Sequence, residues 1–317
     1  MKASLKVYSF LALLIAAHSG VAQNDYFFNH YMFNPSYYNA AWIGTDNQAF
    51  VAMHHRTQWA GYDASFDPQG APSSQLLSFV VPMEGKLSGL GLSLSNDKTG
   101  PLNAVQARFA VSARKEFSFG HLAIGLSPAL NIASLNANYR TVDQGDDAIP
   151  AGSESQFRPN LHASLFFQSK RDYFIGAGVE NILEPSFDFG AKATNKTLMS
   201  YTLMGGTTIG VARELTFSPS VLLRSDLNAY TFDVSALLTY QEKMWGGLAF
   251  RRAESISVLL GYSFLENNKL RAGYSFDYVV KDQDAKQPTS HEVFIRYNLP
   301  GLIFGGRKAV KTPRFTF

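Results

Sequence analysis

The chain has no cysteine, which excludes disulfides, thiolate metal sites and cysteine nucleophiles together and leaves the redox compartment unmarked. Charge is also scarce: 17% of residues are Asp, Glu, Lys or Arg, against roughly 25% in ordinary soluble domains. With 46% hydrophobic residues the chain is too apolar to be disordered. Beyond the N-terminus no apolar run approaches the roughly 20 residues of a membrane helix, so a helical membrane protein is excluded. Neither charge sign dominates: 28 basic and 25 acidic residues give a net charge of +3. No block of like charge occurs, and this balance argues against nucleic acid as a partner. A length of 317 residues admits two ordinary domains or one large all-β barrel.

What is present begins with an export signal. Lys2 and Lys6 precede an apolar stretch from Val7 to Ala17, and Gly20 and Ala22 stand at the -3 and -1 positions of a cut before Gln23. This order predicts a secretory signal peptide over residues 1–22. With no cysteine at the mature N-terminus there is no site for lipid attachment, so membrane association has to come from the fold.

From about residue 48 the dominant pattern is alternation with period two, which makes strands with two unlike faces. In 120–133, Leu122, Ile124, Leu126, Leu130 and Ile132 share one parity, and Ala123, Gly125, Ser127, Ala129, Asn131 and Ala133 the other. In 228–241, Tyr230, Phe232, Val234, Ala236, Leu238 and Tyr240 oppose Thr231, Asp233, Ser235, Thr239 and Gln241, with Leu237 as the exception. In 268–280, Leu270, Ala272, Tyr274, Phe276, Tyr278 and Val280 oppose Arg271, Gly273, Ser275 and Asp277. A soluble sandwich would carry Lys and Glu on its polar face. Here that face is mostly Gly, Ser, Ala, Thr and Asn, as in the lumen of a barrel whose apolar face meets lipid.

The turns divide the chain into about fourteen strands, near 47–57, 74–82, 87–97, 102–117, 119–137, 157–169, 171–182, 197–212, 214–225, 228–241, 243–252, 255–265, 267–280 and 290–299. Connections after odd strands are 58–73, 98–101, 138–156, 183–196, 226–227, 253–254 and 281–289, four of them long. Those after even strands are 83–86, 118, 170, 213, 242 and 266, all short. Outer-membrane barrels sort their connections in this way, long outside and short in the periplasm, and a sandwich has no reason to. The fold expected is therefore an all-β, transmembrane antiparallel barrel, residues 47–300, with both termini periplasmic.

Aromatic residues near strand ends, Tyr173, Tyr230, Tyr240, Phe276 and Tyr278, suit interfacial girdles. Charges on the inward parity are Arg108, Arg114, Arg224, Asp233, Arg251, Arg271 and Asp277. Their mixed signs favour a structural ladder over a pore lining.

Residues 23–46 do not alternate. They are dense in aromatic residues and Asn, with Pro35 and Gly44 as punctuation, and either pack into or under the barrel or dock on a partner. The stretch HYMFNPSYYNAAWIG (30–44) followed by HRTQWAGYD (55–63) resembles the start of the PorP/SprF family of the Bacteroidota, whose pattern runs approximately QYMFNPxxxNPAYAG and then RxQWxGF. Tyr31, Met32, Phe33, Asn34, Pro35, Asn39, Ala41, Gly44, Arg56, Gln58, Trp59 and Gly61 match. His30, Ala40, Trp42 and Tyr62 depart conservatively. The tail GGRKAVKTPRFTF (305–317) also resembles family members.

The resemblance implies an outer-membrane barrel of the type IX secretion or gliding apparatus, acting as a non-enzymatic partner or anchor for secretion components or for cargo with a C-terminal sorting domain, such as adhesins. The family has no catalytic motif to carry over, and neither metal nor cofactor is expected. Candidate contact residues are Tyr31, Met32, Phe33, Asn34, Pro35, Arg56, Gln58 and Trp59, some of which could instead brace the barrel. To these the residues 301–317 add a basic tail with Arg307, Lys308, Lys311 and Arg314, either a frayed end or a periplasmic handle. The alternative function is a porin or a channel for hydrophobic compounds.

Other candidate chemistry is weak. His54 and His55 are adjacent on a strand, so they point to opposite faces and cannot chelate one metal. The loop DQGDD (143–147) lacks the Asp-x-Asp-x-Asp-Gly spacing of a calcium loop and reads as solvated acid. No GxSxG elbow is present.

Overall fold

The computed structural model describes residues 28–62, 70–135, 154–189, 195–281, 283 and 286–304. The signal peptide, the acidic loop 143–147 and the tail residues Arg307, Lys308, Lys311 and Arg314 lie outside the described residues. Strands run in the order β1 Ala49–Thr57, β2 Ser73–Pro82, β3 Gly89–Thr99, β4 Leu102–Phe117, β5 Gly120–Leu135, β6 Glu154–Ser169, β7 Tyr173–Glu180, β8 Ser186–Phe187, β9 Asn195–Lys196, β10 Ser200–Thr207, β11 Ile209–Ala212, β12 Leu215–Ser225, β13 Tyr230–Tyr240, β14 Met244–Arg251, β15 Ser255–Phe264, β16 Leu270–Val279 and β17 Thr289–Leu299.

Every pairing among these strands is antiparallel. β1 pairs with β17, Ala49 opposite Leu299 and Thr57 opposite His291, and β10 pairs with both β7 and β12. The fifteen strands of the main sheet, less β11, therefore close a ring of fourteen. The predicted strand 197–212 is two pieces: it breaks at Thr208, whose N–H donates to Asp172 O at 3.1 Å, and beyond it β11 pairs only with β12. β8 and β9 form a small ribbon apart from the ring, which alternation over such short runs could not reveal. Pro128 has no N–H to donate, and opposite it the β4–β5 ladder lapses at Phe109 and Ala110.

The two faces follow the alternation. Leu122, Ile124, Leu126 and Leu130 stand exposed on the outer face, as do Val234, Leu238, Tyr274 and Phe276. Ala123, Ser127, Ser235, Ser275 and Asp277 are buried inside. Leu237, the exception to the alternation, joins the interior cluster of Trp245, Phe50 and Phe294. Exposed Tyr173, Tyr240 and Tyr262 mark the end of the barrel with short connections, and exposed Tyr201 and Tyr278 the other. The sorting of connections by parity holds. One end carries 83–88, 118–119, 170–172, 213–214, 241–243 and 265–269, and the other carries the long 58–72, 136–153, 181–199 and 280–288.

Candidate functional site

The interior is occupied by the chain's own N-terminal segment. From Phe28 to Ile43 nearly every residue is buried, and the segment is wound into three short turns: Tyr31–Phe33, Pro35–Tyr38 and Ala40–Trp42. Pro35 opens its turn at the first position, where its missing N–H is no loss. Asn39 caps the next by accepting the Ala41 N–H at 3.0 Å.

A non-sheet segment inside a barrel leaves backbone groups that need partners, and inward side chains from the wall supply them. Arg108 donates to Tyr37 O at 2.8 Å, Arg296 to Phe33 O at 2.9 Å, Ser112 to Ile43 O at 2.6 Å and Arg114 to Gly44 O. Ser164 accepts the Ala41 N–H at 3.0 Å. Side chains of the segment reach the wall in turn. The Tyr31 hydroxyl bonds Ser220 and Ser235 at 2.9 and 3.0 Å, Asn34 donates to Ser78 at 3.0 Å, and Asn39 to Leu165 O at 2.9 Å. Apolar contacts fill the rest: Phe33 lies 4.9 Å from the Trp245 ring and 5.1 Å from that of Phe294. Small residues of wall and segment make room. A Cβ at Gly125 would sit 2.3 Å from Ala41 N, and one at Gly44 (φ +83°) 1.9 Å from Ser88 O.

Asn29 is the hub of a buried charge network. Its N–H donates to Glu292 Oε2 at 2.6 Å, its amide nitrogen to Asp277 Oδ1 at 2.5 Å and to Ser275 at 2.8 Å, and its Oδ1 accepts from Arg251 at 3.2 Å. Glu292 Oε1 also accepts the His30 N–H at 3.0 Å and lies 2.8 Å from His30 Nδ1. Arg56 pairs with Asp277 at 2.5 Å, and Arg251 and Arg224 lie 2.6 and 3.7 Å from Asp233. Charges so deeply enclosed are weak evidence for net stability, but leaving one unpaired is costly. They form the mixed-sign ladder expected, with the segment threaded through it. His54 packs against Phe28 and Phe294 inside, while His55 is exposed on the other face.

Gln58 and Trp59 build a second cluster at the end with long connections. Both donate to Glu254 Oε1 at 3.0 Å, and Lys286 donates to Glu254 Oε2 at 2.8 Å while standing 5.2 Å over the Trp59 ring. Trp59 holds a left-handed φ of 51°, fixed by its N–H to Ser290 at 3.0 Å. Burial pushes the Glu254 carboxyl up, but Lys286, Gln58 and Trp59 outweigh this and hold it below the ordinary glutamate range. A carboxylate lowered on folding contributes stability that is present above its unfolded pKa and lost as pH falls through its folded one. Glu254→Gln is therefore expected to cost about 1–2 kcal/mol at neutral pH, with the gap to the parent closing in acid. Thermal melts of both proteins across pH in detergent check this; a gap that persists unchanged at low pH rules it out.

Of the residues singled out from sequence, Tyr31, Asn34, Pro35 and Arg56 are fully enclosed and Met32, Phe33, Gln58 and Trp59 half-buried. Asn29, Glu254, Glu292 and Arg296 were not among them. Glu292 and Arg296 share the inward parity of their strand, so the test that picked out Asp233 and Asp277 would have found them.

A closed ring of antiparallel strands, apolar outside, polar inside and filled by its own N-terminal segment, defines a membrane β-barrel. The chain belongs to the PorP/SprF family, whose model, described as the type IX secretion system membrane protein PorP/SprF, matches residues 20–297. No curated protein matches the sequence. Among solved structures the chain is similar in fold to the toluene transporter TbuX of Ralstonia pickettii, at 11% identity and a TM-score of 0.52 over 88% of this chain and 95% of that one. It is likewise similar to a TodX deltaS2S3 mutant described as a monoaromatic hydrocarbon channel, at 9% identity and a TM-score of 0.51 over 89% and 97%. At these identities the likeness is one of fold alone.

Proposed function

We propose that the protein is a non-enzymatic outer-membrane partner of type IX secretion, a barrel that docks secretion components or cargo carrying a C-terminal sorting domain. The observation that supports this reading is the filled lumen. The residues of the family motif join one wall of the barrel to the other, which suits a rigid platform better than a conduit. On this reading Tyr31, Met32, Phe33, Asn34, Pro35 and Arg56 brace the barrel from within. Contact falls to Gln58 and Trp59, to the long connections, and to Arg307, Lys308, Lys311 and Arg314 in the tail. The competing reading, a channel for hydrophobic compounds, draws on the fold likeness to TbuX and has the lumen segment against it.

The test is a pull-down with mass spectrometry from detergent-solubilised outer membranes of the native host. It compares the intact chain with one lacking 305–317, a truncation that spares the Phe304 N–H to Pro82 O bond of 3.1 Å. Recovery of a surface protein with a sorting domain or of a secretion component is the expected result, and its loss on truncation assigns the tail. A barrel recovered alone in both cases overturns the docking reading.

A further inference from the structure

The lumen segment leaves one space at the end of the barrel that carries the long connections. Tyr37 of the segment, side chains of β4, β5, β7 and β12, and Phe187 and Phe189 at the β8–β9 ribbon enclose a cavity of about 100 Å3, room for several waters or one compact ring. Two hydrogen-bond relays orient its polar lining. Arg108 can only donate, and its Nε and Nη2 give to Gln106 Oε1 at 3.2 and 2.9 Å. Gln106 therefore turns its amide nitrogen to Asn131 Oδ1, at 2.9 Å. Asn131 Nδ2 is left as a donor with no partner among the described residues. The second relay starts at the Leu161 N–H, which gives to Asn160 Oδ1 at 2.8 Å, so that Asn160 Nδ2 gives to Asn181 Oδ1 at 2.8 Å. Asn181 Nδ2 is the second donor with no partner among the described residues. Both asparagines line the cavity.

We infer that this cavity is a binding site for a neutral sugar residue. The charges around it are balanced: Arg108 lies 3.5 Å from Glu180, and Arg224 3.7 Å from Asp233. An anion would meet Glu180 and a cation the two arginines, so the ligand is uncharged. A hydrocarbon would seal both amide donors away from water and leave them unmet, so the ligand carries acceptor oxygens. Phe187 and Phe189 add an apolar wall, their rings within 17° of parallel and 6.2 Å apart. The chain that carries them is fixed to β6, Gln156 Nε2 donating to Asp188 Oδ1 at 2.6 Å and Arg158 Nε to Ser186 O at 2.9 Å. A pyranose meets each of these groups. Its C–H face lies on the rings, its hydroxyl and ring oxygens accept from Asn131 and Asn181, and a hydroxyl donates to the Glu180 carboxylate, which has acceptor sites for several donors. The aromatic side chain of a peptide would use the wall and leave the amides unmet.

The test is saturation-transfer NMR on the whole protein in detergent, with glucose, galactose, mannose and N-acetylglucosamine at millimolar concentration. Glucuronate, toluene and N-acetylphenylalaninamide probe the charged, apolar and peptide classes. At least one neutral sugar is expected to bind, and to be weakened about tenfold by Asn131→Asp and by Asn181→Asp. Each of these keeps the Oδ1 that its relay needs and puts an oxygen in place of the donor, and aspartate accepts the left-handed φ of 57° at position 181. Heat-modifiable migration checks that the variants fold. Phe189→Leu, outside both relays, should weaken the same sugar and serves if either aspartate variant does not fold. No neutral sugar bound by the parent, binding unchanged in the folded variants, or tighter binding of glucuronate, toluene or the peptide amide overturns the inference. Docking is read by the pull-down and sugar by NMR, so either reading can fail alone.

Discussion

Glu292→Ala is expected to release the start of the lumen segment and to destabilise the barrel by about 3–5 kcal/mol, the usual cost of breaking a buried charge cluster by removing one partner. The Glu292 carboxylate is fully buried and accepts the N–H groups of Asn29 and His30 together. Without it both donors are stranded away from water, at about 1–3 kcal/mol each. Arg56 keeps Asp277, but the neutralising charge 3.8 Å away on Glu292 is gone. Glu292→Gln keeps the volume and one acceptor oxygen, so its effect should be smaller. Unfolding temperature in detergent and protease cleavage near residue 30 read the two consequences separately. Unchanged melting together with unchanged protection would show that the segment is held by its apolar packing alone.

Gly125→Leu should turn a closed barrel into a conducting one. Gly125 stands in β5 with its missing side chain directed at the lumen segment, and a Cβ there would lie 2.3 Å from Ala41 N and 2.5 Å from Ala40 C. The strand itself tolerates leucine, which is compatible with extended backbone. The collision therefore falls on the segment, and turning it out of the lower lumen admits water along a wall of serine and glycine. In planar bilayers the parent is expected to give no steady conductance and the variant resolvable steps. Ile124→Leu, one residue away on the outer face, serves as the control that should stay silent. A silent Gly125→Leu barrel that melts like the parent contradicts the packed-lumen description.

Much of this architecture was legible beforehand because lipid and lumen impose opposite demands on alternate residues. Leu122, Ile124 and Leu126 could only be outside, and Arg108, Asp233 and Asp277 only inside. What alternation cannot read is where a pattern is too short or absent. The break at Thr208 separates two pieces of the same parity, and the β8–β9 ribbon offers two residues per strand. Residues 28–46 carry no period at all, so their wealth of aromatic side chains signalled burial without saying against what. Long-range partners were the hardest to see. Gln58 and Trp59 stood out as a motif, but the acid that gathers them, Glu254, lies 195 residues from Trp59 in a turn with no signature of its own.

The lumen segment also orders events in time. It is made before any strand, yet Arg296 and Glu292, which hold Phe33, His30 and Asn29, sit on β17, the last strand to be synthesised and the one that seals the ring against β1. Until β17 is in place, the N–H groups of Asn29 and His30 and the carbonyl of Phe33 lack these partners. A segment that precedes every strand is thus completed by contacts from the last of them.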